Sequence, residues 1–386
     1  MVVPDLNKKL NLIIREIDEF ISKFEERKKD IKKLKELQSK EYEVLQEIQK
    51  EIGKRKPEMK SLNPLKIKEI QKILNTEVVL DYLLTYKSLI IFYITKNDFD
   101  FIQINKKEEF FKEIHSLLLE TLSSPNQKGI RWYLSEISKY FIPEKLKRKL
   151  KDNSTLIIIP FSFLHHFPFS LLTIENNTHL CMRYPLFYMD NIQQIRKSEK
   201  FKIDNILIVS DPKNDLPYSK EEARKISSIF KKKKLLSGKN ARKEKILSIL
   251  DKYKNFHYAG HIVSEINKPF STYLLLSNGI LRTEEIMNLD LKLQLVFLNG
   301  CKSGKGRLLP GDEINSLPRA FHFSGAKEII VNLWEISDSL TPELTSSFYK
   351  NLKNELSTEK SLQKVQKDAI KNKLSPFYWA GFKIIK

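Results

Sequence analysis

Cysteine is nearly absent. Cys181 and Cys301 are the only two in 386 residues, so no disulfide framework can staple the chain, and no Cys/His spacing of the zinc type builds a metal site. That usage points to a reducing compartment, the cytoplasm. Glycine (11) and proline (15) are too sparse for a collagen-like or low-complexity chain. No apolar run approaches the roughly 18 residues that cross a bilayer. Pro4, Asp5, Lys8 and Lys9 interrupt the only N-terminal stretch that could open a signal peptide. Neither secretion nor a membrane partner is expected. Acidic residues are in deficit, 48 against 68 Lys and Arg, giving a formal charge of +20. Such an excess favours acidic partners. Most of the lysines, however, mix with glutamate on predicted helices, and the runs 145–151 and 231–234 fall at predicted helix ends, where cations meet the helix dipole. There is no P-loop and no nucleic-acid recognition motif, so nucleic acid is not expected as a direct ligand.

What the chain does hold is core material. Hydrophobic residues make up 41%, including 23 Phe and 14 Tyr, enough for one large domain or two smaller ones. Over 5–52, apolar residues recur near heptad spacing. One series runs through Leu10, Ile17, Phe24, Ile31, Leu45 and Ile52, a second through Leu6, Ile13, Phe20, Leu34 and Ile48. The pattern predicts a helical coiled-coil arm over 1–60, whose seam packs on another helix of this chain or on a second copy. Gly53 and Pro57 end it.

From residue 66 the pattern predicts a helix to 74, a meander of three strands over 78–104, helices over 107–122 and 128–140, and a buried strand at 155–160. Beyond 201, apolar strands at 203–210, 256–260, 272–276, 294–300 and 328–334 alternate with helices at 219–232, 241–250, 282–288 and 313–323, and two helices close the chain. This alternation specifies an α/β fold, a mostly parallel sheet with helices on both faces.

Two of the strands run into reactive side chains, 256–260 into His261 and 294–300 into Cys301. In open α/β sheets functional groups gather just past the carboxyl ends of strands, so neighbouring parallel strands would bring the two together. Gly260 and Gly300 suit a sharp turn there, and Gly304 and Gly306 keep the next loop open to a ligand. A thiolate can attack a carbonyl while an imidazole, with an ordinary pKa of about 6.5, supplies a proton to the leaving amine. On spacing alone, a free cysteine in an apolar strand also reads as a small core residue.

Five strings, in order, carry a family resemblance: TLIIIPFSFLHHFPFSLL, FHYAGHIV, LVFLNGCKSGKG, LPRAFHFSGAKEIIVNLWEISDSLT and PFYWAGF. Together they closely resemble the CHAT domain, a caspase-like fold met in proteins with tetratricopeptide repeats. The resemblance spans 66–386, with 66–200 an N-terminal part and 201–386 the catalytic part. It implies a cysteine peptidase related to caspases and separase, needing no cofactor, with Cys301 as nucleophile, His261 as general acid/base and no third triad member. The backbone amides of Ile262 and Cys301 would steady the oxyanion. Pro160 and Pro168 read as structural, His165 and His166 as scaffold. Asp338 resembles the aspartate of the separase string LWDVTD, which lines the pocket for a basic residue before the scissile bond, although it also suits the cap of a helix beginning near Ser339. Trp334 would wall that pocket or pack in the core.

The chain departs from the pattern in places. Ile262 follows the histidine where caspases have glycine, and Lys302 and Ser303 follow the cysteine where an acidic residue and Thr are common, which sets a cation beside the thiol. Asp312 and Glu313 could bind substrate or cap the next helix, and the cap is the preferred reading. The implied partners are a protein substrate and a regulatory protein or sensor domain, with self-association through 5–52. Some members of the family cut gasdermin-like or CRISPR-linked partners, so bacterial defence is in keeping with the resemblance. The competing reading is a catalytically silent scaffold or adaptor acting through the helical arm, and retention of both His261 and Cys301 argues for the enzyme.

Overall fold

The computed structural model describes residues 65–122, 130–175, 178–196, 203–264, 272–300, 307–309, 313–315, 317–334 and 339–386, together with Lys40 and Glu43. The predicted arm over 1–60 otherwise lies outside them. The chain divides near residue 66, and the unit Ile67–Lys386 is the one treated below.

In chain order its strands are β1 (Glu77–Leu84), β2 (Leu89–Ile94), β3 (Phe99–Ile104), β4 (Thr155–Ile159), β5 (Leu186–Tyr188), β6 (Asn205–Ser210), β7 (Lys232–Ser237) and β8 (Asn255–Ala259). There follow β9 (Ile262–Ser264), β10 (Thr272–Leu276), β11 (Gly279–Arg282), β12 (Leu295–Asn299), β13 (Arg307–Leu309), β14 (Glu313–Asn315), β15 (Glu328–Asn332) and β16 (Phe382–Ile385). Eleven of them form one sheet in the order β3-β2-β1-β4-β5-β16-β15-β12-β8-β6-β7. The predicted meander is the antiparallel β1-β2-β3 edge. β1, β4, β5 and β16 run parallel, as do β15, β12, β8, β6 and β7, and the two sets meet at the antiparallel pair β15/β16.

Central strands covered on both faces favour apolar residues on both sides, and β4, β6 and β8 are buried throughout. Alternate residues feed two cores. Ile206, Ile208, Leu295, Phe297 and Ile330 pack with Ala223, Ile226, Phe348 and Tyr349 of the helices Pro217–Ile229 and Thr341–Lys353. Leu207, Val209, Val296, Leu298, Ile329 and Val331 pack with Ile246, Ile286, Leu317 and Phe321 on the opposite face. This is the expected mostly parallel sheet with a helical layer on each side.

Four segments differ from expectation. Residues 231–234 do not end a helix, because the helix stops at Ile229 and Lys232, Lys233 and Lys234 open the edge strand β7. Exposed lysines suit an edge, where they discourage pairing with another chain. The strand 272–276 joins β9 and β11 in a separate three-stranded sheet. Glu313 lies in β14, paired with β13, and the helix expected from 313 begins at Leu317, so Glu313 is not its cap. The C-terminus adds a strand, β16, beyond the two predicted helices.

Candidate active site

β8 and β12 are parallel neighbours, in step from Leu295 opposite Asn255 to Asn299 opposite Ala259. His261 and Cys301 each follow the last matched pair by two residues, and adjacent strands are only about 4.8 Å apart. The exits of the two strands are therefore side by side. Gly300 is the last described residue of the second exit; Cys301, Lys302, Ser303, Gly304, Gly306, Asp312 and Asp338 lie outside the described residues.

The two exits touch through glycine. A Cβ on Gly300 would stand 2.5 Å from the Gly260 carbonyl oxygen and 2.6 Å from Ile262 Cγ1, and a Cβ on Gly260 would stand 2.8 Å from the Tyr258 hydroxyl. Neither glycine lies among the residues with positive φ, so both are needed for close approach rather than for the sharp turn expected of them. Ile262, in place of the caspase glycine, is buried and lays its side chain over Gly300.

His261 is held by its backbone. Its carbonyl accepts from the Leu275 amide at 3.0 Å and from the Tyr258 hydroxyl at 2.8 Å. The half-exposed ring points its Nε2 at Asp215, with both carboxylate oxygens at 3.0 Å. Asp215 is fixed in turn by the fully buried Asp211, whose Oδ1 accepts the amides of Asp215 at 2.9 Å and Leu216 at 3.0 Å. Asp211 donates its own amide to the Ala259 carbonyl at 2.8 Å, tying the loop after β6 to the end of β8. Asp211 and Asn214 have φ of 42° and 61°, and non-glycine residues held in that region concentrate at functional sites. β6 lies between β7 and β8, so successive strands leave it in opposite directions. The loops after β6 and β8 thus flank the topological switch point, where open α/β sheets bind ligands.

Asp215 stands beside His261 although only His261 and Cys301 are expected from the sequence. The signal is there: SDPKND follows the apolar run of β6, and the strand-end rule that singles out His261 applies equally to its carboxylates.

The other predicted positions fall as follows. Trp334 is half-buried against the core, its indole N–H donating to the Phe377 carbonyl at 2.9 Å. The helix after Asp338 begins at Thr341 with Leu340 at the N-cap position, so residue 338 is not at the capping position. His165 is buried and His166 partly so, both in a short 3₁₀ turn, and the His165 carbonyl accepts from Lys383 Nζ at 2.9 Å. Cys181 is buried in the core, where burial pushes its thiol well up and keeps it unreactive. Among the described residues, no group of three or more His, Cys, Asp or Glu is arranged to hold a metal, and no helix is long and apolar enough to cross a membrane.

The mostly parallel sheet with helices on both faces matches separase, a caspase-like α/β fold. Two crystal structures of the Saccharomyces cerevisiae separase–securin complex match 82% of this chain with TM-scores of 0.59 and 0.54, at 12% and 14% identity, over 30% and 31% of their own chains. At that identity the likeness is one of fold. The CHAT domain model matches residues 131–386, and the chain belongs to that family. Mouse and human tetratricopeptide repeat protein 28 are 22% identical to it over 293 residues, 60% of this chain and 12% of theirs. The chain therefore spans only a small part of the length of these relatives.

Proposed function

We propose that this chain is a cysteine endopeptidase acting on a specific protein partner. The matched exits of β8 and β12 support this reading most directly, because one leads into His261 and the other into Gly300, the residue before Cys301, with Gly260 and Gly300 in close approach. With Asp215 holding Nε2 of His261, Nδ1 is the ring nitrogen left to exchange protons. The Cys301 proton passes to Nδ1, the thiolate attacks the substrate carbonyl, and the amides of Ile262 and Cys301 receive the developing oxyanion. The proton on Nδ1 then leaves with the amine, and water, activated by the same nitrogen, releases the acyl group from sulfur. Lys302, next in the chain, favours the thiolate.

Asp338 is read as the carboxylate that selects Arg or Lys before the scissile bond, with Trp334 beside it. Residues 66–386 form the peptidase domain and 1–60 a helical arm through which a regulator acts or two copies pair. The protein works without a cofactor, in the cytoplasm. An electrophilic peptide probe carrying Arg or Lys at its first position should label Cys301 and spare Cys181, and Cys301→Ala should abolish cleavage while leaving the melting temperature unchanged. Labelling of neither cysteine under activating conditions would favour the scaffold.

A further inference from the structure

Directly behind the strand exits lies a buried polar cluster that the proposed chemistry does not use. Glu222, in the helix Pro217–Ile229, is 1% exposed. Its two carboxyl oxygens accept from Nδ2 of Asn299 at 2.9 and 2.7 Å. Asn299 in turn accepts, on Oδ1, from Nδ2 of Asn332 at 2.7 Å. His257, fully buried on β8, sets Nε2 3.2 Å from Glu222 Oε1 and Nδ1 3.1 Å from the Tyr349 hydroxyl. Three adjacent strands, β8, β12 and β15, and two helices are thus linked through one carboxyl group and its two direct partners, Asn299 and His257.

Burying such groups costs free energy that apolar side chains of similar volume would not. What the polar version adds is direction. Asn299 has an acceptor-only neighbour on its amide side and a donor on its carbonyl side, so its side chain has a single satisfied orientation. It is also the last residue of β12, with only Gly300 before Cys301. Glycine offers no side chain to fix the path of the chain, so Asn299 is the nearest anchored side chain upstream of the thiol. The segment that carries Glu222 also carries Asp215, two residues before the helix begins, and so reaches both halves of the proposed pair.

We infer that Glu222 is a positioning residue: by clamping Asn299 it fixes the strand exit that leads through Gly300 to Cys301. This rests on Cys301 being the nucleophile, and the test separates the two claims. Iodoacetamide labelling of Cys301 at pH 7 is followed by peptide mass spectrometry, with buried Cys181 as the internal reference, in wild type, Glu222→Gln, Asn299→Asp and the double variant. Glu222→Gln removes one acceptor from Asn299 and should slow labelling on the order of tenfold or more, the scale expected for a misplaced reacting group. The double variant moves the carboxyl across the pair, so that the new amide at position 222 donates to the new carboxylate at position 299 while its carbonyl oxygen still faces His257. It should recover to within about threefold of wild type, the non-additivity expected of touching residues. A purely structural Glu222 would lower the melting temperature and leave the labelling rate of the folded protein unchanged. A reactive wild-type thiol unaltered by Glu222→Gln, or a double variant no faster than the single, would overturn the positioning role alone. A wild-type Cys301 no more reactive than a free thiol would overturn the nucleophile, and the positioning role with it.

Discussion

Gly300→Ala is the sharpest probe of the strand exits, because it adds one carbon where two backbones meet. The new Cβ would sit 2.5 Å from the Gly260 carbonyl oxygen, 2.6 Å from Ile262 Cγ1 and 2.9 Å from Ile262 Cδ1. Real Cβ atoms essentially never come closer than 3.0 Å and ordinary contact begins at 3.4 Å, so the Gly260 and Gly300 segments must part by 0.5–0.9 Å. Overpacking of that size costs about 1–3 kcal/mol. Separation of a nucleophile from its base by nearly 1 Å costs on the order of a hundredfold in rate. The two effects have different sources and can be divided. Ile262→Ala removes the side-chain obstacle but leaves the carbonyl, so in that background alanine at 300 should cost less stability while remaining as damaging to Cys301 labelling. Differential scanning fluorimetry reads the first and probe labelling the second, as a double-mutant cycle. Wild-type labelling in Gly300→Ala, or full recovery of labelling in the Ile262→Ala background, would show that the exits are not in backbone contact.

Asp215→Asn keeps a hydrogen bond to His261 Nε2 but removes the charge. It should slow Cys301 labelling about tenfold at neutral pH, with a change in stability under about 1 kcal/mol because both partners are more than a third exposed. An unchanged labelling rate would reduce Asp215 to a surface contact. Lys383, fully buried on β16, has its ammonium pushed down to about 8 by desolvation, partly opposed by Asp190. A base whose folded value lies below its unfolded one binds its proton more readily when unfolded, so stability should rise with pH from about 8 to about 10.5, by up to roughly 3 kcal/mol. Lys383→Met should flatten that rise and stabilise the protein at pH 7 by about 1–2 kcal/mol, less than the full shift because the bond to His165 and the contact with the Tyr188 ring, 4.3 Å away, are lost. Denaturant melts of the two proteins at pH 7, 8.5 and 10 give the difference, and parallel curves would refute the assignment.

The strands that deliver the site were legible because physics leaves them little choice. A parallel strand covered on both faces is mostly apolar, and the largely apolar runs LVFL and FHYA carry enough of that pattern to be read as strands. The same rule could not find β7, whose KKKLLS sequence faces solvent along an edge, nor β14, three residues long and indistinguishable from the start of the helix that follows. β16 was hidden by its brevity and by Lys383, a charge where the pattern expects none. The partnership of His261 with Asp215 spans 46 residues of sequence and depends on strand order, which no local pattern encodes. Glu222 escapes a reading by periodicity, which assigns charged residues to the solvent face of a helix by default.

β4, at the far side of the sheet, is built wholly from Thr, Leu and Ile and shows what this fold does when only packing matters. Around the exits of β6, β8, β12 and β15 the chain instead buries Asp211, Glu222, His257 and Asn332 beside the half-buried Asn299, and holds Asp211 and Asn214 at positive φ. Each choice is unfavourable locally, and the opposite ends of these strands also bury polar groups, Asn205, Asn255 and Glu328, whose partners are the neighbouring strand, Thr358 and Lys386. At the exits the polar groups lead instead to Asn299 and, through Asp211 and Asp215, to His261, as the proposed positioning of a thiol and an imidazole requires.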